Sequence, residues 1–444
     1  MSLRFGLALS AAIWLAVCLH TPAADSLPHE AYLWQRSWNQ PVRDSVVQHG
    51  SNFASVVVLA AEVTWKGRQP SVTRVALDYP TLANANCPVG LALRVGAFSG
   101  PFAPRDNISD FLCQLATTLI QQAQTNHISP RELQIDFDCA ESKLEGYGVW
   151  VKALRKQVAP TPVVITALPS WLGQPACKAL VQAADGFVLQ VHSVERPTSF
   201  DAPFTLCDPA SARKAVQRAA NLGVPFRVAL PTYGYTIAFD RSGKFTGLSA
   251  EGPRKSWPEG VKTREVFANP VEQAELVRDW AASRPPTLQG IIWYRFPVAD
   301  DIFNWRWETL HAIMSSRIPR ESVRADSRRV EPGLVEINLV NDGELDISSR
   351  LAIEVRWQNA RMLAGDGLRG FEMAAGKPTT VQLKNQSQPG RLRAGEKQVI
   401  GWLRFSEDRE VQVEIIKGAP GHGPGQDGGK KSDTGTDSAD RKKL

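Results

Sequence analysis

The chain has little with which to hold a metal ion or a phosphate. Its six cysteines include no Cys-x-x-Cys pair and no Cys/His cluster at zinc-ligand spacing, which argues against a structural zinc site. No glycine-rich loop follows the first strand-like run, so the fingerprint of a dinucleotide fold is missing. The net charge of +6 is scattered, without a basic helix or arginine-rich arm, and nucleic acid is not an expected partner. Beyond residue 19 no stretch is apolar enough to span a bilayer, so no transmembrane segment is expected in the mature chain. Neither a cofactor nor a bound metal is expected.

What is present begins with a leader. Arg4 is a small positive start, residues 5–19 are apolar but short for a membrane span, and Thr21-Pro22-Ala23-Ala24 offers small residues for cleavage. The expectation is a signal peptide over 1–24 and a periplasmic or extracellular protein. Lipid anchoring at Cys18 is the less favoured alternative, because the bulky Val17 precedes it where a small residue is wanted. Without Cys18 five cysteines remain, an odd number that allows at most two disulfides.

The body of the chain divides by period. Between residues 30 and 318, short Val/Ile/Leu-rich runs alternate with helical patterns: 31–38, 54–65, 90–97, 133–138, 162–168, 186–192, 225–231 and 289–296. Apolar residues at successive positions suit strands covered on both faces. Asp208-Pro209 and Asn269-Pro270 each pair a capping residue with proline at the first helical position. Leu144, Tyr147, Trp150, Val151 and Leu154 form a helical stripe. Eight strands with crossovers give an α/β fold, a (β/α)8 TIM barrel, expected over 28–320. The least barrel-like stretch is 66–88, which looks like a hairpin (71–78) rather than a helix. Six short alternating strands then follow: 334–340, 351–357, 370–373, 379–383, 398–405 and 411–416. Turns such as Asn341-Asp342-Gly343 separate them, and they predict a small antiparallel β-sandwich over 328–416. Its role is either that of a spacer or that of a carbohydrate-binding module. Residues 417–444, rich in Gly, Asp, Ser and Lys, are expected to be a disordered tail.

The most informative stretch is 132–141, Glu-Leu-Gln-Ile-Asp-Phe-Asp-Cys-Ala-Glu. Leu133, Ile135 and Phe137 alternate with Gln134, Asp136 and Asp138, placing an amide and two carboxylates along one line. Unpaired carboxylates inside a protein cost several kcal/mol, on the order of an isolated buried charge. Either they serve a site, or they are structural partners of an arginine such as Arg94. In a TIM barrel the chemistry sits at the carboxyl ends of the strands. Those ends carry Trp34, Gln35 and Arg36, then Glu62, Arg94, and the group Asp136, Asp138 and Glu141. The later strands add Trp171, Gln190, His192, Tyr233, Tyr235 and Trp293. Aromatic faces take the C–H faces of sugar rings and polar groups take their hydroxyls, so a polysaccharide or oligosaccharide is the expected partner.

Several of these runs resemble a known family. Gln134-Ile135-Asp136-Phe137-Asp138 resembles the Asp-x-Asp-x-Glu strand of family-18 glycoside hydrolases, the chitinase-like barrels. Leu230-Pro231-Thr232-Tyr233-Gly234 is similar to their Leu-Pro-x-Tyr-Gly, followed here by an insertion over 235–268. Ile291-Ile292-Trp293-Tyr294 is similar to their eighth strand, whose Trp floors the sugar subsite. Leu189-Gln190-Val191-His192 stands in the place of their Met-x-Tyr-Asp. The barrel resembles more closely a bacterial family of secreted proteins known only as a domain of unknown function. The resemblance implies a glycoside hydrolase-like protein in which Asp138 is the central carboxylate, Asp136 tunes it, and Gln190, His192 and Tyr233 position the sugar. One departure matters. The family's catalytic Glu would fall at Ala140, and Glu141, one residue on, is left as the proton donor. Two other readings stay open: a non-catalytic glycan-binding or envelope-scaffolding barrel, and a metal-dependent hydrolase using Asp136, Asp138 and His192.

Overall fold

A computed structural model describes residues 27–193, 197–250, 255–348, 350–385 and 390–416. The leader over 1–24, Cys18 and the tail over 417–444 lie outside the described residues.

Eight parallel strands close on themselves. In chain order they are His29–Leu33, Ser55–Lys66, Val89–Val95, Leu133–Asp136, Val163–Ala167, Gly186–Gln190, Phe226–Pro231 and Leu288–Tyr294, and the first pairs with both the second and the eighth. All eight fall within a few residues of the positions read from the sequence. Successive residues face opposite sides of such a sheet. Ala31, Leu33, Val56, Val58, Leu133, Ile135 and Trp293 belong to the layer shared with the helices. Tyr32, Trp34, Val57, Leu59, Ala92, Val164, Val188, Ala229 and Ile292 fill the barrel itself. Because both sides are covered, the strands carry apolar residues at nearly every position.

The helices start where their caps place them. Asp208 accepts from the Ser211 N–H and Asn269 from the Val271 N–H, ahead of Pro209–Ala220 and Pro270–Ala282. Helix Leu144–Gln157 buries the stripe read from the sequence, with Gly148 added to it. The second strand runs on past the barrel and turns at Gly67, at φ +62°, into an antiparallel partner, Gln69–Arg74. The hairpin therefore starts earlier than 71–78, and a short helix, Tyr79–Ala83, follows it. After the seventh strand the 235–268 insertion forms a three-stranded sheet of Gly234–Phe239, Phe245–Ser249 and Lys262–Phe267.

The remainder is a sandwich of two four-stranded antiparallel sheets. One holds Val323–Glu331, Leu334–Asn341, Lys397–Phe405 and Met362–Gly367; the other holds Phe371–Ala375, Thr380–Asn385, Ala352–Arg356 and Gln412–Ile416. Val335, Ile337, Ile353, Val355, Leu383 and Leu403 pack between them. Two strands, Val323–Glu331 and Met362–Gly367, were not legible in the sequence. Both are edge strands, the first studded with arginines and the second with glycines, and neither alternates. Cys87, Cys113, Cys139, Cys177 and Cys207 are all free thiols, so neither of the two allowed disulfides forms among them. Among the described residues no helix is long and apolar enough to cross a membrane.

Candidate functional site

The inward-facing residues change character along the barrel axis. At the amino end of the strands Glu30, Glu132 and Arg227 are buried together. Arg227 grips Glu132 with two bonds of 2.7 and 3.0 Å and also pairs with Glu30, which receives Arg131 at 3.1 Å. One layer up, Gln134 donates to Glu132 at 2.5 Å and accepts from the Tyr32 hydroxyl at 2.6 Å. The floor of the barrel is thus a closed polar column with its charges matched.

At the carboxyl end the matching fails. Cross-strand neighbours set Glu62 beside Arg94 and Arg94 beside Asp136. Glu62 takes two bonds from Arg36, at 2.7 and 2.9 Å, and one from Arg94 at 3.2 Å. These bonds, those of Arg36 foremost, hold its carboxyl below the usual range. Asp136 gets less: Arg94 lies 3.8 Å away, and the Thr166 hydroxyl donates at 2.9 Å. Burial, followed by the neighbouring Asp138 carboxylate, pushes the Asp136 pKa up to about 6. Asp138 is exposed at the mouth, yet desolvation of its carboxyl still raises its proton affinity against the pull of Arg94. The two carboxyls titrate as a pair. Around pH 6 the Asp136 carboxyl can both give and take a proton.

Above Asp136 an aromatic box encloses a cavity of about 130 Å³, open at the top. Trp34, Tyr32, Tyr233 and Tyr294 wall it, with Tyr294 edge-on to the other three at ring distances of 5.4 to 5.9 Å. His192 stacks on Tyr294 and meets the Tyr233 hydroxyl at 3.5 Å. Burial lowers the His192 pKa to about 3, so the ring is neutral and donates no extra proton. Tyr233 also shares a 2.6 Å hydrogen bond with Ser193.

Of the residues singled out from the sequence, Asp136, Asp138, Trp34, Arg94, Gln190, His192 and Tyr233 line this cavity. Glu62 flanks it through its ion pair with Arg94, and Arg36 through its own pair with Glu62. Four others lie elsewhere. Trp293 is fully buried on the helix side, donating to His29 at 3.2 Å, because it has the opposite parity to Ile292 and Tyr294. Trp171 sits in the same outer layer against Tyr147. Tyr235 packs into the insertion's own core with Ile237 and Phe239, and Gln35 does not reach the cavity.

Glu141 does not face the bowl either. The fourth strand stops at Asp136, and the Cys139 N–H bonds back to the Phe137 carbonyl at 3.0 Å, a tight turn about Asp138. Cys139 then enters the core, Ala140 is exposed, and Glu141 opens a short 3-10 turn where it accepts from Gln174 at 2.5 Å. The proton-donor expectation for Glu141 is therefore corrected. Nor do Asp136, Asp138 and His192 form a metal-ligand group: among the described residues no three or more His, Cys, Asp or Glu side chains come together in that way.

Sequence reasoning passed over Tyr32 and Thr166, and in the 291–294 run it chose Trp293 over Tyr294. For Tyr32 the signal was available, since Glu30, Tyr32 and Trp34 alternate with Ala31 and Leu33.

Residues 102–299 match the family model described as a domain of unknown function, DUF3142, and residues 324–406 match a second, DUF8456. No curated protein matches the chain. Solved structures with similar folds include the spore cortex-lytic enzyme SleL of Bacillus cereus. It is 12% identical, with 66% of this chain and 75% of that one covered at a TM-score of 0.47. A chitinase from Chromobacterium violaceum is 15% identical, covering 66% and 98% at 0.45. The GH18 chitinase ChiB of Flavobacterium johnsoniae is 10% identical, covering 66% and 94% at 0.42. At such identity and such loose superposition, the chemistry has to be argued from the bowl's own residues.

Proposed function

We propose that the barrel takes one ring of a polysaccharide into the aromatic bowl and hydrolyses the glycosidic bond at its mouth. The observation that supports this most is the incompletely compensated pair Asp136 and Asp138, which opens into a cavity walled by Trp34, Tyr32, Tyr233 and Tyr294. A volume of about 130 Å³ is below the roughly 300–1,000 Å³ of drug-sized ligand sites, which suits a single ring with the rest of the chain lying outside. Asp138, exposed and raised in proton affinity, delivers a proton to the departing oxygen. Asp136, behind it, passes the shared proton to Asp138 and, left ionised, supports the positive charge developing at the anomeric carbon. Water supplies the hydroxyl that completes the cleavage, and its remaining proton returns to the carboxyl pair. Arg94 keeps the pair from being fully protonated, while Gln190 and neutral His192 are placed for the ring's hydroxyls. The leader over 1–24 would deliver the protein to the periplasm or beyond; the mature amino terminus of exported protein, read by mass spectrometry, checks this.

Ala140 favours a second reading, in which the bowl binds glycan without cleaving it. Incubation with a panel of polysaccharides, followed by reducing-end release and by calorimetry, separates the two. Release that Asp138→Asn abolishes supports hydrolysis. Binding without release from any bound polymer supports the second reading, and neither binding nor release contradicts both.

A further inference from the structure

The barrel and the sandwich meet through two arginines whose reach extends to the bowl. Arg391 and Arg393 lie on a sandwich segment that Ile347 pins through a two-way bridge with Leu392. Asp346 braces the same segment, pairing with Arg391 at 2.7 Å and accepting from the Ala394 N–H at 2.8 Å. The Arg393 guanidinium donates 2.8 Å hydrogen bonds to two barrel carbonyls, those of Asp301 and Asn304. Arg391 lies 3.8 Å above the ring of Phe267 in the insertion.

Both contacts fall on the supports of Tyr233. The Asp301 carboxylate takes bonds of 2.8 and 2.5 Å from Arg295, whose buried guanidinium lies 5.8 Å from the Tyr233 ring centre. Arg295 also donates to the Ala250 carbonyl at 2.9 Å, tying the insertion to the barrel rim. Asn304 bridges Tyr233 directly, and the Gly234 N–H bonds to the Phe303 carbonyl at 2.6 Å. Phe267 covers Gly234 so closely that a Cβ there would lie 2.2 Å from its ring. The sandwich thus grips two supports of Tyr233, the 301–304 segment and Phe267.

We propose that the sandwich is a working part of the bowl rather than a spacer, and that Arg393 is a positioning residue which, through the 301–304 segment and Arg295, fixes the Tyr233 ring. The significance of that ring rests on the reading of the bowl as a sugar site; the mechanical coupling does not. Two carbonyls accepting from one guanidinium define the segment's position far better than a hydrophobic contact would, because hydrogen bonds are directional.

The test uses the full-length protein with 13C-labelled tyrosine rings, the Tyr233 signal being assigned by its loss in Tyr233→Phe. Arg393→Met is expected to shift or broaden the Tyr233 signal and to weaken binding of a soluble glycan about tenfold. Arg393→Lys, which keeps a donor for the carbonyls, is expected to restore both. An unmoved Tyr233 signal in folded Arg393→Met overturns the coupling, whatever the glycan result. A shifted signal, where the parent protein itself binds no glycan, upholds the coupling and contradicts the proposed function instead. Should Arg393→Met fail to fold, Arg391→Gln, which removes the cation over Phe267, faces the same two outcomes.

Discussion

One barrel holds two groups of carboxylates and guanidiniums, and they are treated in opposite ways. At the amino end the buried Glu30 and Glu132 face the buried Arg227 and the more exposed Arg131 in tight geometry, beneath Gln134 and Tyr32. At the carboxyl end Glu62 takes up Arg36 and the closest bond of Arg94, leaving Asp136 a 3.8 Å partner and Asp138 exposed. The floor is what a structural charge cluster looks like. The mouth retains a carboxyl pair whose charge is opposed by burial and by each partner, at a cost to stability that packing alone would have removed. Strained electrostatics of this kind marks chemistry more often than architecture.

The contrast breaks most severely if the floor is opened. Arg227→Met strands the buried Glu132 and leaves Glu30 with Arg131 alone, and stability measured by urea unfolding should fall by about 3–5 kcal/mol, the usual penalty for half of a buried pair. At the mouth, Asp138→Asn should leave stability nearly unchanged while lowering glycan hydrolysis by about 10²-fold or more, the contribution of a general acid. Equal losses of stability in these two variants would erase the distinction.

Asp136→Asn sharpens the comparison through pH. The folded pKa of Asp136 is raised from 3.8 to about 6, so the folded state holds the proton more tightly than the unfolded one. The stability this supplies is complete below about pH 4 and is lost as the pH rises to about 6. Above that pH the ionised carboxylate costs up to about 3 kcal/mol, at roughly 1.4 kcal/mol per pKa unit. The Asn variant should therefore be more stable than the parent at pH 8, with the difference vanishing near pH 4 in thermal unfolding. Glu62, held low by Arg36, behaves in the opposite sense, and its contribution is lost as the medium becomes acidic. The smallest effect belongs to Glu141→Gln: with its side chain turned onto Gln174, hydrolysis should change by less than about twofold, as for surface substitutions remote from a site.

Most of the fold was legible because burial on both faces writes the strands as continuous apolar runs. The same property hid the parity of the eighth strand. Ile291-Ile292-Trp293-Tyr294 offers no polar residue to say which side is inward, so Trp293 was favoured where Tyr294 faces the cavity. The fourth strand was readable to Asp138 because its inward residues are polar and its outward ones are not. Beyond Asp138 the alternation ends in a turn set by a backbone hydrogen bond, for which the side chains give no sign. The grip of Arg393 on the rim joins positions about 90 apart in sequence, with no local pattern to announce it.

The claim that the mouth is left uncompensated for chemistry is tested most directly by a carbon-detected NMR titration of the Asp136 carboxyl, in the parent and in Asp138→Asn. A midpoint near pH 6 that falls when Asp138 is neutralised is the expected result. A midpoint near 4 in both proteins would mean that Arg94 and Thr166 satisfy Asp136 fully, leaving the mouth as structural as the floor.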